Sequence, residues 1–154
     1  MPFTEFLYHF TDTRNVPSIK KHGLLSLAAL KARLNYDIGT DFFPGSNPQS
    51  REIDYEKKLN NYIRLCADKH HPMTTIALNE GRIQNIAWIK LNFRDVVFVD
   101  SFREDHAKFS NKNAASNDAI VNSDYHTFTQ SIDTQREVLI RYNIPVSRLE
   151  FIEN

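Results

Sequence analysis

Short runs rich in Ile, Val and Phe crowd the second half of this chain, at residues 74–78, 86–91, 96–99, 137–142 and 149–152. Each is too short for a typical helix, and β-branched and aromatic side chains favour a pleated, half-buried surface, so the pattern predicts strands. The first half reads differently. Residues 6–10 form an apolar, aromatic strand candidate. Asn15 then reads as a helix N-cap, Pro17 sits in the first turn where its missing N–H costs nothing, and Gly23 reads as the residue that ends the helix. Residues 27–33 predict a second short helix, and 51–64 a third, with Ile53, Leu59, Tyr62 and Ile63 on one face. Between them, 35–50 is a long loop with two Gly and two Pro. Residues 108–123 read as polar loop with a turn near Ala119, and 125–132 as a short helix. Helices early and strands late predict an α+β fold. With 154 residues and no internal boundary, the expectation is one domain over 1–154.

Several classes are set aside by composition. No apolar run is long enough to span a bilayer, and MPFTEFLYHF lacks the basic and apolar regions of a secretory signal, so a cytoplasmic protein without membrane contact is expected. The single Cys66 makes no internal disulfide and reads as a small buried apolar residue. Net charge is zero, so any contact with nucleic acid must use a local patch and a shaped pocket rather than an overall basic surface. His70 and His71 are adjacent, and His106 and His126 lack partners at ligand spacing, so no metal site is expected. Phosphate-cradling glycine loops and a nucleophile elbow are missing from the sequence.

Two features remain. In Thr134-Gln135-Arg136-Glu137-Val138-Leu139-Ile140 a glutamate opens a strongly apolar strand. Strand alternation places Gln135, Glu137 and Leu139 on one face. A carboxylate there is costly unless paired, solvated or used. The second feature is Tyr8-His9-Phe10-Thr11, a histidine and a hydroxyl in an aromatic strand that leads into the Asn15 helix. Alone, each reads more readily as structural than as functional.

Together they resemble a known family. Tyr8-His9-Phe10-Thr11, Asn15-Val16-Pro17-Ser18-Ile19 and His22-Gly23-Leu24-Leu25-Ser26 look like the N-terminal signature of the DarT-type DNA ADP-ribosyltransferases. Tyr36-Asp37-Ile38, Pro72-Met73, Gln135-x-Glu137-Val138-Leu139 and Ile144-Pro145-Val146 resemble later segments, in the right order over nearly the whole chain. The resemblance implies an ADP-ribosyltransferase-like fold, with two packed, mostly antiparallel sheets around an NAD cleft and short flanking helices. It implies Glu137 as the catalytic carboxylate, with Gln135 contacting the acceptor base or ribose. His9 and Thr11 would hold the nicotinamide and its ribose, with Asn15, Gly23 and Leu24 also at the cofactor. Many relatives carry an arginine after the Tyr-Asp-Ile segment; Arg51 is the nearest here, at longer spacing, with Lys57 or Lys58 as alternative point charges.

NAD is then the co-substrate, with no metal, and the partner is single-stranded nucleic acid, DNA or RNA, whose base must be unstacked for attack. Tyr36, Phe42 and Phe43 would stack on that base and Arg136 would contact the strand. Lys57, Lys58, Arg64, Lys69, Arg136 and Arg141 would supply a local positive patch. Family members act in toxin–antitoxin and phage-defence systems, so an antitoxin partner is implied. Transfer to RNA or to protein, or a catalytically inactive module of this fold that only binds, are the competing readings.

Overall fold

The computed structural model describes residues 6–44, 51–52, 55–69, 72–97, 106–116, 118–141 and 143–152. Its frame is a seven-stranded sheet. Strand β1 (Phe6–Asp12) pairs along its whole length with β4 (Ile86–Asn92), from Phe6↔Asn92 to Asp12↔Ile86. Beyond β4 lies β9 (Glu150–Ile152). On its other side β1 touches β3 (Tyr62–Cys66) at a single pair, Tyr8↔Cys66. Strand β3 then pairs throughout with β7 (Glu137–Arg141), β7 with β5 (Ala107–Ser110), and β5 with β6 (Val121–Asn122). The order is β6-β5-β7-β3-β1-β4-β9, with every strand pair antiparallel, and a small second sheet joins β2 (Leu24–Leu25) to β8 (Asn143–Ile144). The expected α+β fold with two antiparallel sheets is present. The larger sheet nearly divides at the β1–β3 pair, and that division makes the cleft.

Alternation explains the core. Ile63 and Leu65 of β3, Val138 and Ile140 of β7, and Ala107 and Phe109 of β5 bury one face with Leu7, Ile89, Phe93 and Phe128. Each of the buried Val, Leu, Ile and Phe side chains contributes roughly 1.5–3 kcal/mol on leaving water. Leu139 points the other way, into a small cluster with Leu59 and Ala114. Strand β7 is therefore buried on both faces, and Glu137 shares the Leu139 face.

The punctuation around α1 (Val16–His22) follows the sequence with one correction. Pro17 is in the first turn and the Gly23 N–H donates to the Ile19 carbonyl at 2.8 Å. The side-chain cap, however, is Asp12, which accepts the Arg14 N–H at the start of the short 3-10 turn Thr13–Asn15; Asn15 makes no capping bond. Helix α2 (Leu27–Leu34) starts at Ser26, whose Oγ accepts the Ala29 N–H at 3.1 Å.

Four expectations are overturned. Residues 74–78 lie in helix α3 (Pro72–Asn79), not a strand: the buried Thr74 and Ala77 are three apart, a helical spacing, and Pro72 opens the first turn. Val96 and Val97 end helix α4 (Phe93–Val97), which buries Phe93, Val96 and Val97, while residues 98–100 lie outside the described ones. The helix expected over 51–64 stops short: Lys58 adopts a left-handed φ of 60°, and Tyr62–Cys66 is β3. Residues 108–123 are not all loop, because β5 and β6 occupy part of them; β5 is only Ala-Lys-Phe-Ser, made a strand by pairing with β7. The helix expected over 125–132 is the single turn α5 (His126–Thr129). No helix among the described residues is long and apolar enough to cross a membrane.

Candidate active site

The cleft opens where β1 and β3 part. His9 and Thr11 line it from β1, Arg64 and Cys66 from β3, and Glu137 from β7; Gly23, Leu24, Phe42, Arg51 and Asn113 are also among the lining residues. These side chains converge because β3 sits between β1 and β7 in the sheet.

Glu137 is the first residue of β7 and only 3% exposed. Its strand neighbours are Cys66 on one side and Ser110 on the other. Oε1 accepts the Ala114 N–H at 2.8 Å, and Arg64 Nη1 lies 4.0 Å from the same oxygen. A carboxylate with so little water is tolerable because a backbone donor and a nearby guanidinium offset its desolvation. Burial, and then the Glu137 charge, push the Cys66 thiol upward, so Cys66 is an inert wall residue and not a nucleophile.

His9 bridges the division of the sheet. Its Nδ1–H donates to the Arg64 carbonyl at 3.0 Å, a link across 55 residues where ladder bonds give out. Burial lowers its pKa, and the bond to Arg64 pulls partly the other way. A neutral ring with the proton on Nδ1 leaves Nε2 as an acceptor. Thr11 is buried, and its Oγ1 accepts a hydrogen bond from Asn15 Nδ2 at 2.9 Å, which leaves the hydroxyl proton for another partner.

The predicted residues divide into three groups. Glu137, His9, Thr11, Gly23, Leu24, Arg51 and Phe42 come together in the cleft. Asn15, Phe43 and Tyr36 stand behind it: Asn15 ties Thr11 to the Phe43 backbone, the Phe43 ring carries the Arg14 guanidinium at 3.6 Å, and the Tyr36 hydroxyl meets Ser18 Oγ at 3.0 Å. Gln135 and Arg136 do not line the cleft. Gln135 is not on the strand at all, because Asp133 holds a turn there by accepting the Gln135 N–H on Oδ1 and the Arg136 N–H on its carbonyl, and β7 begins only at Glu137. The shared strand face expected of Gln135 and Glu137 is thus corrected. Arg136 donates to the Asp133 carbonyl and lies 5.2 Å from the Phe128 ring centroid. Lys57 is likewise committed elsewhere, to the carbonyls of Ala114 and Ser116.

Arg64, which the sequence places only in a positive patch, and Cys66 and Asn113, to which it gives no role at the site, also line the cleft. A period of two in Tyr62-Ile63-Arg64-Leu65-Cys66 carries the first two, since it sets Tyr62, Arg64 and Cys66 opposite the core residues Ile63 and Leu65. No local signal marks Asn113. Among the histidines, His106 meets the Val96 carbonyl and His126 meets Asp124, while His70 and His71 lie outside the described residues. Among the described residues no group of three His, Cys, Asp or Glu is gathered as for a metal ion.

Residues 5–138 match the model of a family described as Family of unknown function (DUF7002), and the chain belongs to that family. No curated protein matches it. Among solved structures, Thermus sp. 2.9 DarT in complex with ADP-ribosylated ssDNA is similar over 95% of this chain and 79% of that one, with a TM-score of 0.70 at 15% identity. The same protein in complex with NAD+ gives a TM-score of 0.64 at 15% identity over 97% and 81%. Thermosipho africanus DarTG in complex with ADP-ribose gives 0.68 at 16% identity; the match covers 96% of this chain but 43% of that one. The chain therefore has the fold of the DarT structures, and at these identities the likeness speaks for the fold.

Proposed function

We propose that this DUF7002 member is an NAD-dependent ADP-ribosyltransferase that modifies a nucleobase in single-stranded DNA, with Glu137 as its catalytic carboxylate. The observation that carries the reading is the buried Glu137 facing the same cleft as His9 and Thr11, on a fold shared with DarT structures that hold NAD+ and ADP-ribosylated ssDNA.

The donor set fits the dinucleotide. Arg51 and Arg64 bring two guanidiniums for a pyrophosphate, Thr11 and the neutral His9 offer a hydroxyl and a ring nitrogen for ribose and amide groups, and Phe42 offers a face for a flat ring. When bound, NAD+ supplies an ADP-ribosyl group: its bond to nicotinamide breaks, the acceptor nitrogen takes the ribosyl carbon, and positive charge develops on the ribose in between. Glu137 accepts a hydrogen bond from the ribose 2′-hydroxyl and stabilises that charge, an effect enlarged where water is excluded. It also takes the proton that the acceptor nitrogen loses. His9 and Thr11 orient the ribose so that the acceptor approaches the face opposite the leaving group. By the same resemblance the enzyme acts as a cytoplasmic toxin or phage-defence effector restrained by an antitoxin. Gln135 and Arg136, in the turn before Glu137, contact the acceptor strand from outside the cleft.

The test uses NAD+ labelled in its adenylate phosphate with matched DNA and RNA oligonucleotides. Label retained on DNA by the wild-type protein, and lost by at least about a hundredfold in Glu137→Gln with the fold intact, is the expected result. Label on RNA moves the acceptor; no transfer and no nicotinamide release, or full activity in Glu137→Gln, overturns the assignment.

A further inference from the structure

The carboxylate of Glu137 is not held by its own strand alone. Both polar contacts found for it among the described residues fall on Oε1, and the shorter is the Ala114 N–H. Ala114 lies in the connection between β5 and β6, where Asn113 Oδ1 accepts the Ala115 N–H and the Ser116 N–H donates to the Asn113 carbonyl, while the Lys112–Asp118 ion pair and the bond from Ser131 Oγ to the Asn111 carbonyl tie its flanks. Such a segment is expensive to hold in one conformation. Lys57 holds it. Its ammonium donates to the Ala114 carbonyl at 2.8 Å and to the Ser116 carbonyl at 2.7 Å, spanning 57 and 59 residues of chain. Two residues on, Leu59 packs against Ala114 and Leu139 on the Glu137 face. The short stretch 57–59 thus pins the turn twice, by charge from one end and by apolar contact from the other.

We propose that Lys57 is a positioning residue for Glu137, acting through the turn at residues 114–116. Ala114 gives its carbonyl to Lys57 on one side of its Cα and its N–H to Glu137 Oε1 on the other, so the ammonium restrains the residue whose N–H meets the carboxylate. Charge-assisted bonds at both ends of one residue make the linkage stiff. With Oε1 committed to the turn, Oε2 is the oxygen left for the ribose hydroxyl. The role rests on the reading of Glu137 as the catalytic carboxylate.

The test compares Lys57→Met and Lys57→Arg with the wild-type chain by kinetics and by the amide signal of Ala114 in NMR. In Lys57→Met, kcat falls about tenfold or more with KM for NAD+ nearly unchanged, as for loss of an interaction used in the transition state. Lys57→Arg, whose guanidinium also spans two carbonyls, recovers most of the rate. The Ala114 amide proton moves upfield in Lys57→Met and in Glu137→Gln, and the double variant shifts no further than Glu137→Gln alone. An Ala114 signal unmoved in Lys57→Met, or additive shifts in the double variant, overturns the linkage. So does a Lys57→Met protein that loses kcat and KM together. If the wild-type chain transfers nothing, the transferase reading falls and the amide comparison still decides the Lys57–Ala114–Glu137 linkage. Should Lys57→Met not fold, Lys57→Gln keeps a donor without the charge and carries the same comparison.

Discussion

Asn15 and Phe43 hold each other by both edges of an amide: Asn15 Oδ1 accepts the Phe43 N–H at 2.9 Å, and Asn15 Nδ2 donates to the Phe43 carbonyl at 2.8 Å. The side chain thus imitates a strand partner, 28 residues from the backbone it pairs with, and its remaining amide hydrogen reaches Thr11 Oγ1. This explains why Asn15 is buried and makes no helix cap. It also fixes Phe42, the neighbouring ring that lines the cleft.

Replacing Asn15 by Ala removes three hydrogen bonds at a buried site. The expected loss is about 2–4 kcal/mol of stability, since Thr11 and Phe43 keep polar groups without their partner. Urea denaturation measures it, and calorimetry with NAD+ should show weakened binding as Phe42 and Thr11 lose their support. Wild-type affinity in a folded Asn15→Ala protein would mean that the clamp does not shape the cleft.

His9 makes stability depend on pH with a definite sign. Burial holds its folded pKa below the ordinary value, with the Arg64 carbonyl opposing. In the unfolded chain it takes up a proton near pH 6.5. As pH falls, the unfolded state therefore binds the proton first, and stability present above about pH 6.5 is lost between the unfolded and folded values. Wild-type Tm should fall on acidification through this window, and His9→Gln, which can still donate to Arg64, should flatten the difference. Parallel curves for the two proteins would locate the titration elsewhere.

Gly23 stands at a close approach between the small sheet and the end of α1. A Cβ there would collide with the Ile144 carbonyl oxygen, and the backbone φ is +80°. Gly23→Ala is expected to cost about 2 kcal/mol or more, because the obstacle is backbone and the conformation strains any L side chain. Hydrogen exchange at the Leu24↔Ile144 pair, which adjoins the clash, should accelerate most.

Much of the site was legible where local chemistry and burial agree. Gly23 and Pro17 delimit α1 because their backbone restrictions act whatever surrounds them. Glu137 stands out because a charge beside Val138, Leu139 and Ile140 is unusual in any fold. The failures came where distant partners decide. Thr74, Thr75 and Ile76 favour strands intrinsically, yet packing of Thr74 and Ala77 makes them helical. Lys108 gains strand structure from Leu139 across the ladder, and Ser110 from Glu137 on one side and Val121 on the other. Gln135 was placed with Glu137 by extending the alternation two residues too far, and the side chain of Asp133 breaks it. Ala114 meets Glu137 through a turn whose anchor, Lys57, is more than fifty residues away, so no window of sequence holds both.

The single Tyr8↔Cys66 pair that joins the halves of the large sheet also bears on how the chain reaches its fold. Asp12 pairs with Ile86, and Cys66 with Glu137, each about seventy residues along the chain. Among the described residues, β5 and β6 are the one strand pair joined through a short connection. Closing long loops before any contact rewards them puts such a topology among the slow folders, on the order of milliseconds to seconds. The cleft belongs to neither half alone, since His9 and Thr11 come from one and Arg64, Cys66 and Glu137 from the other.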